Sequence, residues 1–144
     1  QQKHVMIDKI NQHFEGKLKG KTFGIWGLAF KPRTDDIREA PALVLVDYLL
    51  SQGAKVQVHD PEALDNVRAV YGDRLQYAER RVEAVQDADA LVIMTEWKNY
   101  HRPNWDEILS VMRSPTVFDG RNIYEPLRMQ QRGIRYYSIG RPSV

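Results

Sequence analysis

The chain has no cysteine, which removes disulfides, thiolate metal ligands and a cysteine nucleophile from what these residues can do. It also lacks any apolar run near the roughly 20 residues needed to cross a bilayer. The stretch from Gln1 to Lys9 lacks the apolar centre of a secretory signal, so a soluble, cytoplasmic protein without a membrane partner is expected. No sign of charge dominates: 21 Lys and Arg against 19 Asp and Glu leave +2. These charges are spread along the chain, and duplex nucleic acid is not an expected partner. The histidines, at positions 4, 13, 59 and 101, show no paired ligand spacing, and no metal is expected.

What is present is a single domain's worth of chain, 144 residues with 42% hydrophobic and 28% charged side chains, the composition of a globular core. Thr22 to Trp26 reads as a buried strand, followed by a turn at Gly27. Leu43, Val46, Leu49 and Leu50 fall at helical spacing within Glu39 to Ser51, and Gly53 stops that helix. Lys55 to His59 alternates as a second strand until Pro61 breaks it.

The pattern then repeats. Helices are expected near Glu62 to Tyr71, Arg80 to Gln86, Trp105 to Met112 and Glu125 to Arg132. Strands are expected near Leu75 to Tyr77, Ala90 to Met94, Thr116 to Phe118 and Ile134 to Ile139, with Trp97 to Pro103 as loop. Strands alternating with helices predict a doubly wound α/β fold, Rossmann-like, with a mostly parallel sheet covered on both faces. On the last strand, alternation should bury one of Tyr136 and Tyr137 and expose the other.

Val5 to Leu18 stands outside that alternation. Met6, Ile10, Phe14 and Leu18 fall four apart, which predicts an amphipathic helix ending at Gly16 to Gly20. Such a helix either packs on the sheet of its own domain or is the end of a helix arriving from a preceding one.

A doubly wound sheet binds its ligand beyond the carboxyl ends of the strands, where strand order reverses. The first such loop is Gly27-Leu28-Ala29-Phe30-Lys31-Pro32. Gly27 keeps the tight turn of a glycine-rich phosphate loop, but Ala29 and Pro32 replace the other glycines, and Asp60 lies further along the chain than a ribose-binding acid usually does. A self-sufficient NAD site is therefore not expected. Lys31, Arg33 and Arg38 instead gather beside Asp35 and Asp36, just before a helix N-terminus, an arrangement that favours an anion such as phosphate. The alternative is a solvated loop with Asp35 or Asp36 as helix cap and the arginines paired to them.

Four stretches together resemble the UDP-binding domain of the UDP-glucose/GDP-mannose dehydrogenase family. They are Gly27 to Pro32 with Thr34-Asp35-Asp36 and Arg38-Glu39-Ala40-Pro41; Gly53-Ala54-Lys55-Val56 leading to Asp60-Pro61; Ala88-Asp89-Ala90 leading to Thr95-Glu96-Trp97; and Phe118-Asp119-Gly120-Arg121-Asn122. Thr95-Glu96-Trp97 and Asp119 to Tyr124 are most similar to the branch acting on UDP-glucose, ahead of those acting on GDP-mannose or UDP-N-acetylmannosamine. A third possibility, of another class, is a non-catalytic α/β module for oligomer assembly or regulation.

The resemblance implies oxidation of a sugar C6 hydroxyl to a carboxylate in two NAD-dependent steps, by an enzyme that is a homo-oligomer. It places the catalytic cysteine, lysine and aspartate before this domain, so the chain alone should be inactive and residues 1–19 should end an interdomain helix. It also implies that Phe30, Lys31 and Arg121 contact the UDP-sugar and that Arg38 reaches NAD. Asp35 and Asp36 are assigned to capping and to orienting Lys31 or Arg38, not to acid/base work. Glu96 and Trp97 are secondary candidates at the same cleft.

Overall fold

A computed structural model of the chain describes residues 2–29, 31–32 and 34–139. Its elements run α1 (Gln2–Phe14), β1 (Thr22–Trp26), α2 (Pro41–Ser51), β2 (Lys55–His59), α3 (Leu64–Tyr71), β3 (Gln76–Tyr77), β4 (Ala90–Ile93), α4 (Trp105–Val111), β5 (Thr116–Asp119), α5 (Pro126–Gln131) and β6 (Arg135–Ser138). Single 3-10 turns lie at Gly72–Arg74, Glu83–Val85 and Lys98–Tyr100. The strands form one sheet in the order β3-β2-β1-β4-β5-β6, with every neighbouring pair parallel. The chain leaves β1 toward one edge and resumes at β4 on the other side, so strand order reverses between β1 and β4.

Crossover helices cover both faces, and β1, β4 and β5 are accordingly buried at every residue. Successive side chains feed opposite cores. Phe23, Ile25, Val92 and Phe118 join Met6, Ile10, Leu45, Leu49 and Val67 from α1, α2 and α3. Leu91, Ile93, Val117 and Tyr136 join Trp105, Ile108 and Met129 from α4 and α5. Full burial of one such side chain stabilises by about 1.5–3 kcal/mol.

The helix expected to reach Leu18 stops at Phe14, because Glu15 and Gly16 take positive φ (56° and 74°) and Gly16 N–H returns to Asn11 O at 3.0 Å. Met6, Ile7 and Ile10 are buried in one core with Phe23, Ile25 and Phe118, so α1 packs on the sheet whether or not a further segment leads into it.

Two further expectations are corrected. The helix expected over Arg80 to Gln86 is only the turn Glu83–Val85. Local N–H groups return three residues back, and carbonyls of the same stretch also meet tertiary partners. Trp26 Nε1 donates to Arg81 O (3.1 Å), and Gln57 Nε2 donates to Ala84 O (2.9 Å) and Gln86 O (3.1 Å). Gly24 lets that turn lie on β1, since a Cβ there would stand 2.4 Å from Ala84 O.

Tyr136 is buried as alternation requires, but Tyr137 is not exposed. It is half-buried, stacked on Phe118 at 4.8 Å between ring centres, with its hydroxyl 2.7 Å from His13 Nδ1. Alternation sent it to the opposite face, and α1 covers that face.

Candidate functional site

Three loops meet beyond the carboxyl ends of β1, β4 and β5. Gly27 opens the first with φ +96°, and its N–H donates to His59 O at 2.8 Å. A Cβ at Gly27 would lie 2.5 Å from Thr95 Cβ, so only glycine lets the loops after β1 and β4 touch. Thr95 then closes the contact, its Oγ1 donating to Ala29 O at 2.8 Å.

A cavity of about 410 Å³ lies at this junction, lined by Lys31, Pro32, Glu96, Trp97 and Lys98. It sits at the reversal of strand order, where the fold places ligands. A smaller cavity, about 240 Å³, is bordered by His59, Arg81 and Asn99. Two of its polar side chains are already engaged, His59 Nδ1 with the Tyr100 hydroxyl (2.7 Å) and the Arg81 guanidinium with Asn99 O, and the cavity at the reversal of strand order is the better candidate by its place in the fold.

Arg121 reaches the rim of the larger cavity through Glu96. Nη2 donates to Oε2 at 3.1 Å, and Nε stands 2.8 Å from Oε1 without the alignment of a hydrogen bond. Burial works to raise the Glu96 pKa, but the hydrogen bond and charge of Arg121 outweigh it and hold the carboxyl below its ordinary 4.5. Trp97 packs against the second core, and its Nε1 is buried with no partner among the described residues.

The loop carrying Arg121 is organised by Asp119, which is fully buried. Its carboxylate accepts N–H groups from Arg121 (2.9 Å), Ile123 (2.8 Å) and Tyr124 (3.1 Å) and the hydroxyl of Tyr136 (2.6 Å).

Lys31 and Glu96 thus face one cavity, and Arg121 grips Glu96. Arg38 stands apart in an exposed ion pair, with Nε donating to Asp36 Oδ1 (3.0 Å) and Nη2 to Oδ2 (2.8 Å). Hydrogen bonds from the Arg38 side chain and backbone, with its charge, pull the Asp36 pKa to about 2. Asp36 and Arg38 thus form an exposed pair, and among the described residues neither acid makes the cap expected at the start of α2. The residue before α2 is Ala40, with Pro41 as first helical residue and no side-chain cap. The backbone of Asp35 accepts Asn66 Nδ2 at 2.8 Å. Phe30 and Arg33 lie outside the described residues.

Sequence reasoning did not single out Lys98, Thr95, Asp60 or Asp119 as site residues. Lys98 carries no local signal. Asp60 and Asp119 each follow or end a strand, where a buried acid can gather loop N–H groups.

Residues 24–126 match the model of the UDP-glucose/GDP-mannose dehydrogenase family, UDP binding domain. The chain is 45% identical to a UDP-glucose 6-dehydrogenase of Pseudomonas aeruginosa over 98% of its own length, and spans 32% of that relative. Among solved structures it is similar to a UDP-glucose dehydrogenase from Pyrobaculum islandicum, with a TM-score of 0.77, 31% identity, and coverage of 95% of this chain and 29% of the other. It is also similar to an NDP-N-acetyl-D-galactosaminuronic acid dehydrogenase from Methanosarcina mazei, with a TM-score of 0.78, 28% identity, and coverage of 96% and 28%.

Proposed function

The chain belongs to the UDP-glucose/GDP-mannose dehydrogenase family as its UDP-binding domain, and from that premise we propose that it forms the nucleotide-sugar wall of an NAD-dependent UDP-glucose 6-dehydrogenase. In this reading residues 20–144 bind the UDP-sugar, and residues 1–19 end a helix joining them to a preceding domain. The complete enzyme is a cytoplasmic homo-oligomer.

The observation that supports it best is the cavity at the reversal of strand order, with Lys31 and Lys98 on its lining and Arg121 held against it by Glu96. Lys31 and Lys98 are compact cations that match diphosphate charge, while Trp97 and Pro32 supply apolar wall that excludes water. Phe30 contacts the same ligand in this reading. Arg121, fixed by Glu96 and by its own N–H on Asp119, presents its remaining guanidinium donors without having to be ordered on binding.

NAD, when bound, supplies the hydride acceptor. The turn after β1 does not suit a dinucleotide, since the N–H groups of Leu28 and Ala29 are taken by Asp60. Arg38, exposed and planar, suits a pyrophosphate lying mainly on another domain.

Calorimetry with uridine diphosphate and guanosine diphosphate tests the reading. Uridine diphosphate should bind the chain, guanosine diphosphate more weakly, and Lys31→Ala should weaken the former by roughly tenfold. Equal binding of both nucleotides would overturn the choice of base, and undiminished affinity in Lys31→Ala would overturn the site.

A further inference from the structure

Asp60 follows directly on the last residue of β2 and is 3% exposed. Its Oδ2 accepts the N–H groups of Leu28 (2.7 Å) and Ala29 (3.3 Å), and its Oδ1 those of Glu62 (2.8 Å) and Ala63 (2.9 Å). Leu28 and Ala29 come immediately after Gly27, so their N–H groups are the ones that a glycine-rich turn of this fold offers to a phosphate oxygen. A carboxylate oxygen has the charge and acceptor capacity to take that place.

The tip of β2 is also where dinucleotide sites carry their ribose-binding acid. By topology Asp60 holds that position, and the long segment between β1 and α2 accounts for its distance from Gly27 in sequence. Here the acid turns inward, to backbone.

We propose that Asp60 is an internal substitute for a ligand phosphate. Its carboxylate fills the anion seat of the turn, bars a dinucleotide from it, and positions the backbone leading to Lys31. Each of these N–H groups has one hydrogen, so a pyrophosphate could not use them while Asp60 does, and a second anion placed there would face an unscreened like charge. Phosphate recognition therefore passes from backbone to side chains, Lys31, Lys98 and Arg121. That last step rests on the reading under Proposed function; the filling of the seat rests on the contacts of Asp60 alone. Thr95, donating to Ala29 O at 2.8 Å, holds the same stretch from the other side.

The test uses the full chain and its Asp60→Ala variant, titrated with sodium formate and with inorganic phosphate while the backbone amide resonances are followed. In the variant the Leu28 and Ala29 amides should shift saturably with either anion; in the unaltered chain they should not. Uridine diphosphate affinity should fall roughly tenfold in the variant and recover in formate, a rescue that a merely destabilised protein would not show. A folded variant whose Leu28 and Ala29 amides ignore both anions overturns the assignment, as does an unaltered chain that responds equally.

If Asp60→Ala does not fold, Asp60→Asn decides. Its NH₂ group opposes one pair of N–H groups, so either Leu28 and Ala29 or Glu62 and Ala63 should lose protection from hydrogen exchange, and retained protection at all of them overturns the proposal. Failure of the unaltered chain to bind uridine diphosphate would count against the functional reading and leave the formate result to judge the seat.

Discussion

Glu96 and Arg121 join the loops after β4 and β5, with Nε 2.8 Å from Oε1 and Nη2 donating to Oε2 at 3.1 Å. Both side chains are a little over a third exposed, so the pair adds little to global stability. Its weight lies in placing a planar cation beside the cavity that holds Lys31. Arg121→Ala should lower uridine diphosphate affinity roughly tenfold or more. Arg121→Lys should recover only part of that loss, because one ammonium cannot span both oxygens of Glu96. Calorimetry on the two variants checks this, and full recovery by lysine would show that charge alone matters.

Asp36 occupies the guanidinium fork of Arg38 through both carboxylate oxygens. If Arg38 reaches NAD in the complete enzyme, Asp36 competes with the cofactor for that fork. Asp36→Asn should leave the urea midpoint unchanged, as expected for an exposed pair, while lowering the KM for NAD. Steady-state kinetics decide it; an unchanged KM would remove Arg38 from the cofactor's surroundings.

Gly27 is held at φ +96°, with Thr95 where a side chain would go. Gly27→Ala adds both a left-handed strain and an overlap with backbone that cannot move aside. The expected cost is about 2–4 kcal/mol, read from urea denaturation. A loss below about 0.5 kcal/mol would mean that the two loops separate freely.

His59 is buried, and burial lowers its pKa below the ordinary 6.5, with the nearby Asp60 charge opposing and Arg81 assisting. The unfolded chain therefore binds a proton at a higher pH than the folded one. Stability should be complete above 6.5 and decline as pH falls from 6.5 through the lower folded value. His13 is lowered in the same sense, so the comparison is best made in a His13→Asn background. There, His59→Gln should flatten the slope of urea midpoint against pH; an unaltered slope would assign it to other groups.

Much of the architecture was legible without coordinates. The apolar runs Thr22 to Trp26, Ala90 to Met94 and Thr116 to Phe118, separated by helical spacings, are local patterns that burial on both faces of a parallel sheet requires. The loops that carry Lys31, Glu96 and Arg121 could be chosen because they follow strands, and in this class the carboxyl ends of strands face the ligand; it was the resemblance to the dehydrogenase family that singled out Lys31 and Arg121 within them.

What the chain order could not reveal depends on partners distant in sequence. In place of the helix expected at Arg80 to Gln86 stands a single turn, whose carbonyls and their neighbours are met by Trp26 and Gln57 from β1 and β2. Asp60 reads locally as a strand-ending acid, and only the pairing of β1 with β2 brings it under the N–H groups of Leu28 and Ala29. Periodicity is a property of neighbouring residues and so belongs to the sequence. The satisfaction of buried polar groups is a property of the folded whole, because each donor must find an acceptor wherever the sheet has brought one.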